Sequence, residues 1–178
     1  MSKEIAKGIL SEELDALRKR IINNHISAKQ RASGYTENSM RVEVTDNEGT
    51  LFGRKYFGTL ETGRKAGNVP KGFNEIIQEW IINKGISITP IPYERLPSDS
   101  WQPKYTPEQR GLMSLSGAIA HKIKTEGTQL FRESGRTDIY SNEIEKTISI
   151  IHNRLFGIFK KDIDTIHLNS KKDEEYND

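Results

Sequence analysis

The chain reads as an α+β protein: long helices packed on a short antiparallel β-hairpin, with a long proline-rich irregular arm. Three patterns predict this. Apolar residues recur at helical spacing in several segments. One stretch near residue 40 alternates with period two and runs into a turn. Five of the six prolines fall between residues 87 and 110. The expected organisation is one domain over residues 1–169, the arm at 87–110 inside it, and a charged flexible tail at 170–178.

The first helix rests on Leu10, Leu14, Leu17 and Ile21, at steps of four, three and four. Ser11 is placed to cap its start, with Ile5 and Ile9 available to extend it backwards, and the polar residues from Asn23 onward end it. Acids early (Glu12, Glu13, Asp15) and bases later (Arg18, Lys19, Arg20) suit the helix dipole. From Ser39 to Thr45 the pattern switches: Met40, Val42 and Val44 face one side, Arg41, Glu43 and Thr45 the other. Asp46-Asn47-Glu48-Gly49 is turn chemistry, and Thr50-Leu51-Phe52 starts the return strand.

Residues 49–72 hold six of the fourteen glycines, together with Arg54, Lys55, Arg64, Lys65 and Lys71. Tyr56, Phe57 and Leu60 suggest one helical turn stopped by Gly63, and a mobile basic loop is expected after it. Phe73, Ile76, Ile77, Trp80 and Ile81 mark a short amphipathic helix, with Gly85 as its C-terminal cap and Trp80 and Ile81 read as core. Between 87 and 110 the proline density excludes regular structure. A long irregular segment carrying Tyr93, Leu96, Trp101 and Tyr105 points to ordering by a partner rather than to a solvated linker. Leu112, Leu115, Ile119 and Ile123 mark a third helix closing at Gly127. Ser141 is read as the cap of a fourth, with a stripe of Ile144, Ile148, Ile151, Leu155, Ile158 or Phe159, and Ile166, broken by a polar step at Asp162.

Composition narrows the function. With 34% hydrophobic and 29% charged residues, the core is small and much of the chain must meet water or a partner. No apolar run is long enough to cross a bilayer, and Met1–Lys7 meets charge at once, so neither a membrane span nor a secretion signal is expected. With no cysteine, disulfides and thiolate chemistry are excluded. Net charge is +2; setting aside the four acids of Asp173–Asp178 leaves +6 on the rest, short of a dedicated nucleic-acid binder.

Searches for catalytic motifs fail one by one. Gly58-x4-Gly63 is followed by Arg64-Lys65, and Gly53-x4-Gly58 by Thr59-Leu60. Neither supplies both the lysine and the hydroxyl of a phosphate loop, so the glycines read as bends in the backbone. His25, His121, His152 and His167 have no i, i+4 partner for a metal and read as ordinary histidines. There is no Gly-x-Ser-x-Gly elbow, and no acid followed two places later by lysine. The expectation is a non-enzyme without cofactor or metal.

The order of the pieces carries a resemblance. After Ser39–Val44, the turn and Leu51-Phe52-Gly53 come Tyr56-Phe57-Gly58-Thr59-Leu60-Glu61-Thr62-Gly63-Arg64-Lys65 and a loop containing Pro70. Then follow Ile76-Ile77-Gln78-Glu79-Trp80-Ile81-Ile82-Asn83-Lys84-Gly85-Ile86, Ile119-Ala120-His121-Lys122-Ile123, Glu126-Gly127-Thr128 and Arg132. Across residues 10–165 this resembles the neck proteins of tailed phages, the head–tail joining or tail-completion family, with the ring proteins of crAss-like Bacteroides phages as relatives of the same kind. The resemblance implies a virion component assembled in the host cytoplasm, a homo-oligomeric ring of twelve or six copies between portal and tail. Its partners would be the portal and other neck or tail proteins, with at most passive contact to genomic DNA in the channel and none to membrane. It implies no catalytic residue. What carries over is positional: Glu61, Gly63 and Arg64 close the short helix after the sheet, and Gly127-Thr128 ends the third helix. The expected interface residues are Tyr93, Trp101 and Tyr105 on the arm and Arg54, Lys55, Arg64 and Lys65 on the loop. The alternative is a DNA-binding or packaging-associated accessory protein.

Overall fold

The computed structural model describes residues 2–46, 48–94, 100 and 102–175, with side chains described from 3 to 166 within those ranges. The fold class is α+β. The order is α1 (Ser2–Ser27), α2 (Tyr35–Asn38), β1 (Arg41–Val44), β2 (Gly49–Phe52), α3 (Thr59–Thr62), α4 (Phe73–Lys84), α5 (Pro107–Glu126), α6 (Gln129–Arg132) and α7 (Ser141–Glu175). Where the sequence reading places one domain, the contacts divide into two compact units. The first is Met1–Lys29, Thr36–Phe57 and Thr137–Asp178; the second is Gln30–Tyr35 and Gly58–Arg136.

In the first unit α1 lies against both α7 and the hairpin. Its buried face is Ile9, Leu14, Leu17, Ile21 and His25, a stripe that from Leu14 runs at steps of three, four and four and continues past the Asn23 boundary expected from polarity. His25 joins the core because its Nδ1 meets Glu37 Oε1 at 3.1 Å. The helix starts at Ser2, not at Ser11: Gly8 alone does not stop it, and Ile9 keeps the stripe going. Partners of α1 fall in number as those of α7 rise: Asn24 with Ile139, Arg20 with Glu143 and Thr147, Glu12 and Glu13 with Arg154. The two helices are therefore antiparallel. At 1.5 Å per residue they span ~39 and ~52 Å, so α7 outruns the start of α1.

The face that α7 presents to α1 is rotated from the expected stripe. Thr147 is fully buried, while Ile144 and Ile148 are exposed. The reason is local. The Thr147 hydroxyl donates to the Glu143 carbonyl at 2.7 Å and accepts from Arg20 Nη2 at 2.7 Å, so its polarity is satisfied inside. The first helical bond runs from the Ile144 amide to the Tyr140 carbonyl, so Ser141 opens the helix instead of capping it. The backbone stays helical to Glu175, beyond the expected end at Ile166 and into the charged tail.

The expected hairpin is present, with Arg41 opposite Phe52, Val42 opposite Leu51, Glu43 opposite Thr50 and Val44 opposite Gly49, so Gly49 belongs to the return strand and not to the turn. Val42 and Val44 are half-buried and Arg41 and Glu43 exposed. A Cβ on Gly49 would lie 2.7 Å from Leu14 Cδ1, so the turn end of the hairpin sits directly on α1.

The second unit is α4 packed on α5 around Ile77, Ile81 and Ala120, with Phe73, Ile88, Leu112, Leu115, Ile119 and Ile123 around them. Gly85 caps α4 in the left-handed region, φ 64°, as its position predicts. Trp80 departs from the expectation that it is core: it is 37% exposed, beside exposed Ile76, while Ile81 is fully buried. The proline-rich stretch ends earlier than 110. Thr106 caps α5 and Pro107 is its first residue, with a reciprocal Thr106–Gln109 capping box. Proline at that position costs no hydrogen bond, since the first-turn amide is unpaired in any helix.

Candidate interaction surfaces

The start of the predicted arm is bound within its own unit. The Ile91 amide donates to the Pro107 carbonyl at 2.9 Å. Arg110 Nη1 donates to the carbonyls of Ile91 (3.0 Å) and Pro92 (2.7 Å), and its guanidinium lies 3.9 Å from the centre of the Tyr93 ring. A Cβ on Gly111 would fall 2.2 Å from the Thr89 carbonyl oxygen. Thus residues 88–93 are laid onto α5, and Tyr93 is half-buried under a cation. Tyr105 is exposed with Lys104 Nζ 5.2 Å from its ring centre. Trp101 lies outside the described residues.

The basic loop divides. Arg54 and Lys55 belong to the first unit, in the exposed turn closed by the Phe57 amide on the Arg54 carbonyl. Arg64 and Lys65 belong to the second, where the expected mobile loop is instead latched. Arg64 and Thr128 exchange bonds: the Arg64 amide donates to Thr128 Oγ1 and the Thr128 amide to the Arg64 carbonyl, both at 2.9 Å. The Gly67 amide donates to the Lys124 carbonyl at 2.9 Å. The Arg64 side chain is spent locally, on the Asn68 carbonyl and over the Phe73 ring at 5.5 Å. Lys65 is exposed.

This latch explains Leu60-Glu61-x-Gly63-Arg64 structurally. Gly63 (φ 68°) ends α3 and Gly127 (φ 82°) ends α5, and each lets backbone come close. A Cβ on Gly127 would lie 2.7 Å from the Arg64 carbonyl oxygen. Glu61 is buried and its carbonyl accepts the Arg136 amide at 2.9 Å. The motif locks two loop ends together.

A surface the sequence reading did not single out lies on α7. Phe156, Phe159, Ile163 and Ile166 are 62%, 51%, 54% and 67% exposed. His152 stacks on Phe156 with ring centres 6.4 Å apart. Steps of four, three, four and three from His152 to Ile166 form a narrow a/d seam, the pattern that a helix offers to another helix. Arg154 stands between the seam and α1, forking to Glu12 (2.8 Å) and Glu13. The Asp162 break in the expected stripe was the available signal: one helix carries two apolar faces, one for α1 and one left exposed among the described residues.

Among the described residues no three His, Asp or Glu side chains converge as a metal site would require, and no helix is long and apolar enough to cross a membrane. A groove of about 650 Å³ runs between α1 and β1. No family model, no curated protein and no solved structure matches this chain.

Proposed function

We propose that this chain is a structural subunit of a tailed-phage virion, assembled as a ring of twelve or six copies in the neck or tail connector between portal and tail, around the DNA channel. Its work is assembly, not turnover. The observation that carries the reading is the α7 seam. Four large apolar side chains at heptad spacing are costly to leave in water, and burying each against a neighbour returns ~1.5–3 kcal/mol. Exposed apolar surface of that regularity supports an interaction face. In a ring the contact is heterologous, so the seam of one copy meets a different face of the next. Exposed Trp80 and Ile76 on α4 offer a second apolar face of the kind such a contact needs.

The alternative of a DNA-binding accessory protein draws on exposed Arg54, Lys55 and Lys65, which are split between two units. Native mass spectrometry and electron microscopy of the purified chain test the main reading. A closed oligomer is expected, with duplex DNA bound weakly and with little salt dependence. A monomer at every concentration, or DNA affinity falling steeply with salt, would overturn it.

A further inference from the structure

Among the described residues β1 pairs with β2 alone, so its outer edge carries no strand, and its parity can be read. The Thr45 amide donates to the Glu48 carbonyl at 2.7 Å, so Thr45 and Glu48 are a hydrogen-bonded pair. Pairs alternate along an antiparallel ladder. Glu43–Thr50 and Arg41–Phe52 are therefore bonded pairs, while Val42–Leu51 and Val44–Gly49 are not. The N–H and C=O of Val42 and Val44 consequently point away from β2. Both residues also line the groove of about 650 Å³ between α1 and β1. An uncovered edge of this kind is a template for another strand.

We propose that this edge joins two copies of the chain across a two-fold axis, β1 against β1 in antiparallel, making a four-stranded sheet. The occupant is a second copy because the edge is complementary to itself. Outward groups must pair with outward groups, which allows only a few registers. Centring on Glu43 sets carboxylate against carboxylate. Centring on Val42 sets Arg41 opposite the partner's Glu43 and Glu43 opposite the partner's Arg41. These fall at non-hydrogen-bonded positions, where opposed side chains come closest. Arg41 and Glu43 already pair at 2.8 Å within the strand, on the exposed face, so the two copies form one alternating four-charge cluster. In this register Val42 exchanges both backbone bonds with its counterpart, and the Val44 amide meets the partner's Met40 carbonyl. The Met40 amide is already used by the Glu37 carbonyl, so each Val44–Met40 pair keeps one of its two bonds.

The helix side of the groove agrees. From Glu4 through Lys7, Ser11 and Asp15 to Arg18, signs alternate along α1. Both signs are therefore present along the flank of α1 that borders the groove. Because α1 packs beneath both strands, a strand spacing of ~4.8 Å sets the two α1 helices ~10 Å apart, the distance of packed helices. Gly8 and Ser11 keep that flank low. The contact uses nothing of the α7 seam, so variants of β1 and variants of the seam test the two contacts separately.

Sedimentation equilibrium from micromolar to near-millimolar concentration tests it, with circular dichroism as the check on folding. The wild-type chain should show a dimer step. Val44→Pro removes an amide that the hairpin does not use, and should abolish that step while leaving the fold intact. Glu43→Arg should weaken dimerisation about tenfold by opposing like charges. The swap Arg41→Glu/Glu43→Arg should restore it. Since the chain has no cysteine, Val42→Cys is a clean probe: opposed bonded residues lie ~5.5 Å apart at Cα, within disulfide reach, and mild oxidation should give a covalent dimer. No dimer step in the wild type, a Val44→Pro chain that dimerises as before, or a charge swap no better than the single reversal would overturn the proposal.

Discussion

Gly63 approaches the α6 backbone so closely that a Cβ placed on it would lie 2.5 Å from the Phe131 amide nitrogen and 2.6 Å from Thr128 Oγ1. Its φ of 68° belongs to the region that L side chains avoid. Both constraints act at once, and neither obstacle is a flexible side-chain tip. Gly63→Ala should destabilise the second unit by about 2–4 kcal/mol. That corresponds to a fall of roughly 8–30 °C in the melting temperature of its transition. Differential scanning calorimetry would read it, and a loss within half a kcal/mol would show that the latch yields easily.

Gly111 and Gly117 lie on the same helix and should respond with opposite signs. The Gly111 Cβ would collide with the Thr89 carbonyl at 2.2 Å, whereas nothing lies within 4 Å of one on Gly117. Gly117→Ala should stabilise by about 0.5–1 kcal/mol, the helix-propensity gain alone. Gly111→Ala gains the same propensity but must lift residues 88–93 off α5. Hydrogen exchange at the Ile91 amide, which donates to Pro107, should accelerate at least tenfold in Gly111→Ala and stay unchanged in Gly117→Ala.

Much of the fold was legible because the signals were short-range. The hairpin follows from Met40, Val42 and Val44 alternating into the turn residues after Thr45, and Gly85 ends α4 where it was expected. Several misses share one cause, polar groups satisfied at a distance in sequence. Nothing near Thr147 or His25 announces that Arg20 and Glu37 will let them be buried. The loop after Gly63 is basic and glycine-rich, hence expected to be mobile, but Thr128 and Lys124 supply its bonds from far along the chain. Trp80 is exposed because α4 turns Ile77 and Ile81 to α5, a choice that an apolar run of five does not reveal. Of the expected interface residues, Tyr93 and Arg64 are engaged inside their own unit, a fact set by Arg110 and Asn68.

Glu143 ties the α1–α7 packing to pH. Its carboxyl is held below the ordinary glutamate range, first by the hydrogen bond from Lys146 and then by the charges of Lys146 and Arg20, against a desolvation cost. Lys146 Nζ lies at 2.8 Å and Arg20 Nε at 3.0 Å, and the carboxylate is 14% exposed. A group with a lowered folded value contributes stability that is present above its unfolded pKa and is lost as pH falls through the folded one. Below about pH 4.5 the chain should therefore lose part of this stabilisation. Glu143→Gln should cost about 1 kcal/mol at neutral pH and flatten the acid limb of the urea midpoint plotted against pH. An unchanged acid limb would mean that the α1–α7 packing does not depend on this charge.

The α7 seam separates assembly from folding. Phe159 is half-exposed and faces away from the side of α7 that buries Thr147. Aspartate there leaves the first unit's core untouched but places a charge in any helix–helix contact, where an unpaired buried carboxylate is strongly unfavourable. Phe159→Asp should therefore keep the wild-type melting temperature within about 2 °C, since surface changes stay near ±0.5 kcal/mol. It should also remove every species larger than a dimer in light scattering. Ile158→Asp is the converse control: Ile158 is half-buried and, eleven residues on from Thr147, lies on the same side of α7, so its loss should unfold the unit before it affects assembly. If Phe159→Asp assembles like the wild type, the seam is a solvated stripe and the ring must close elsewhere.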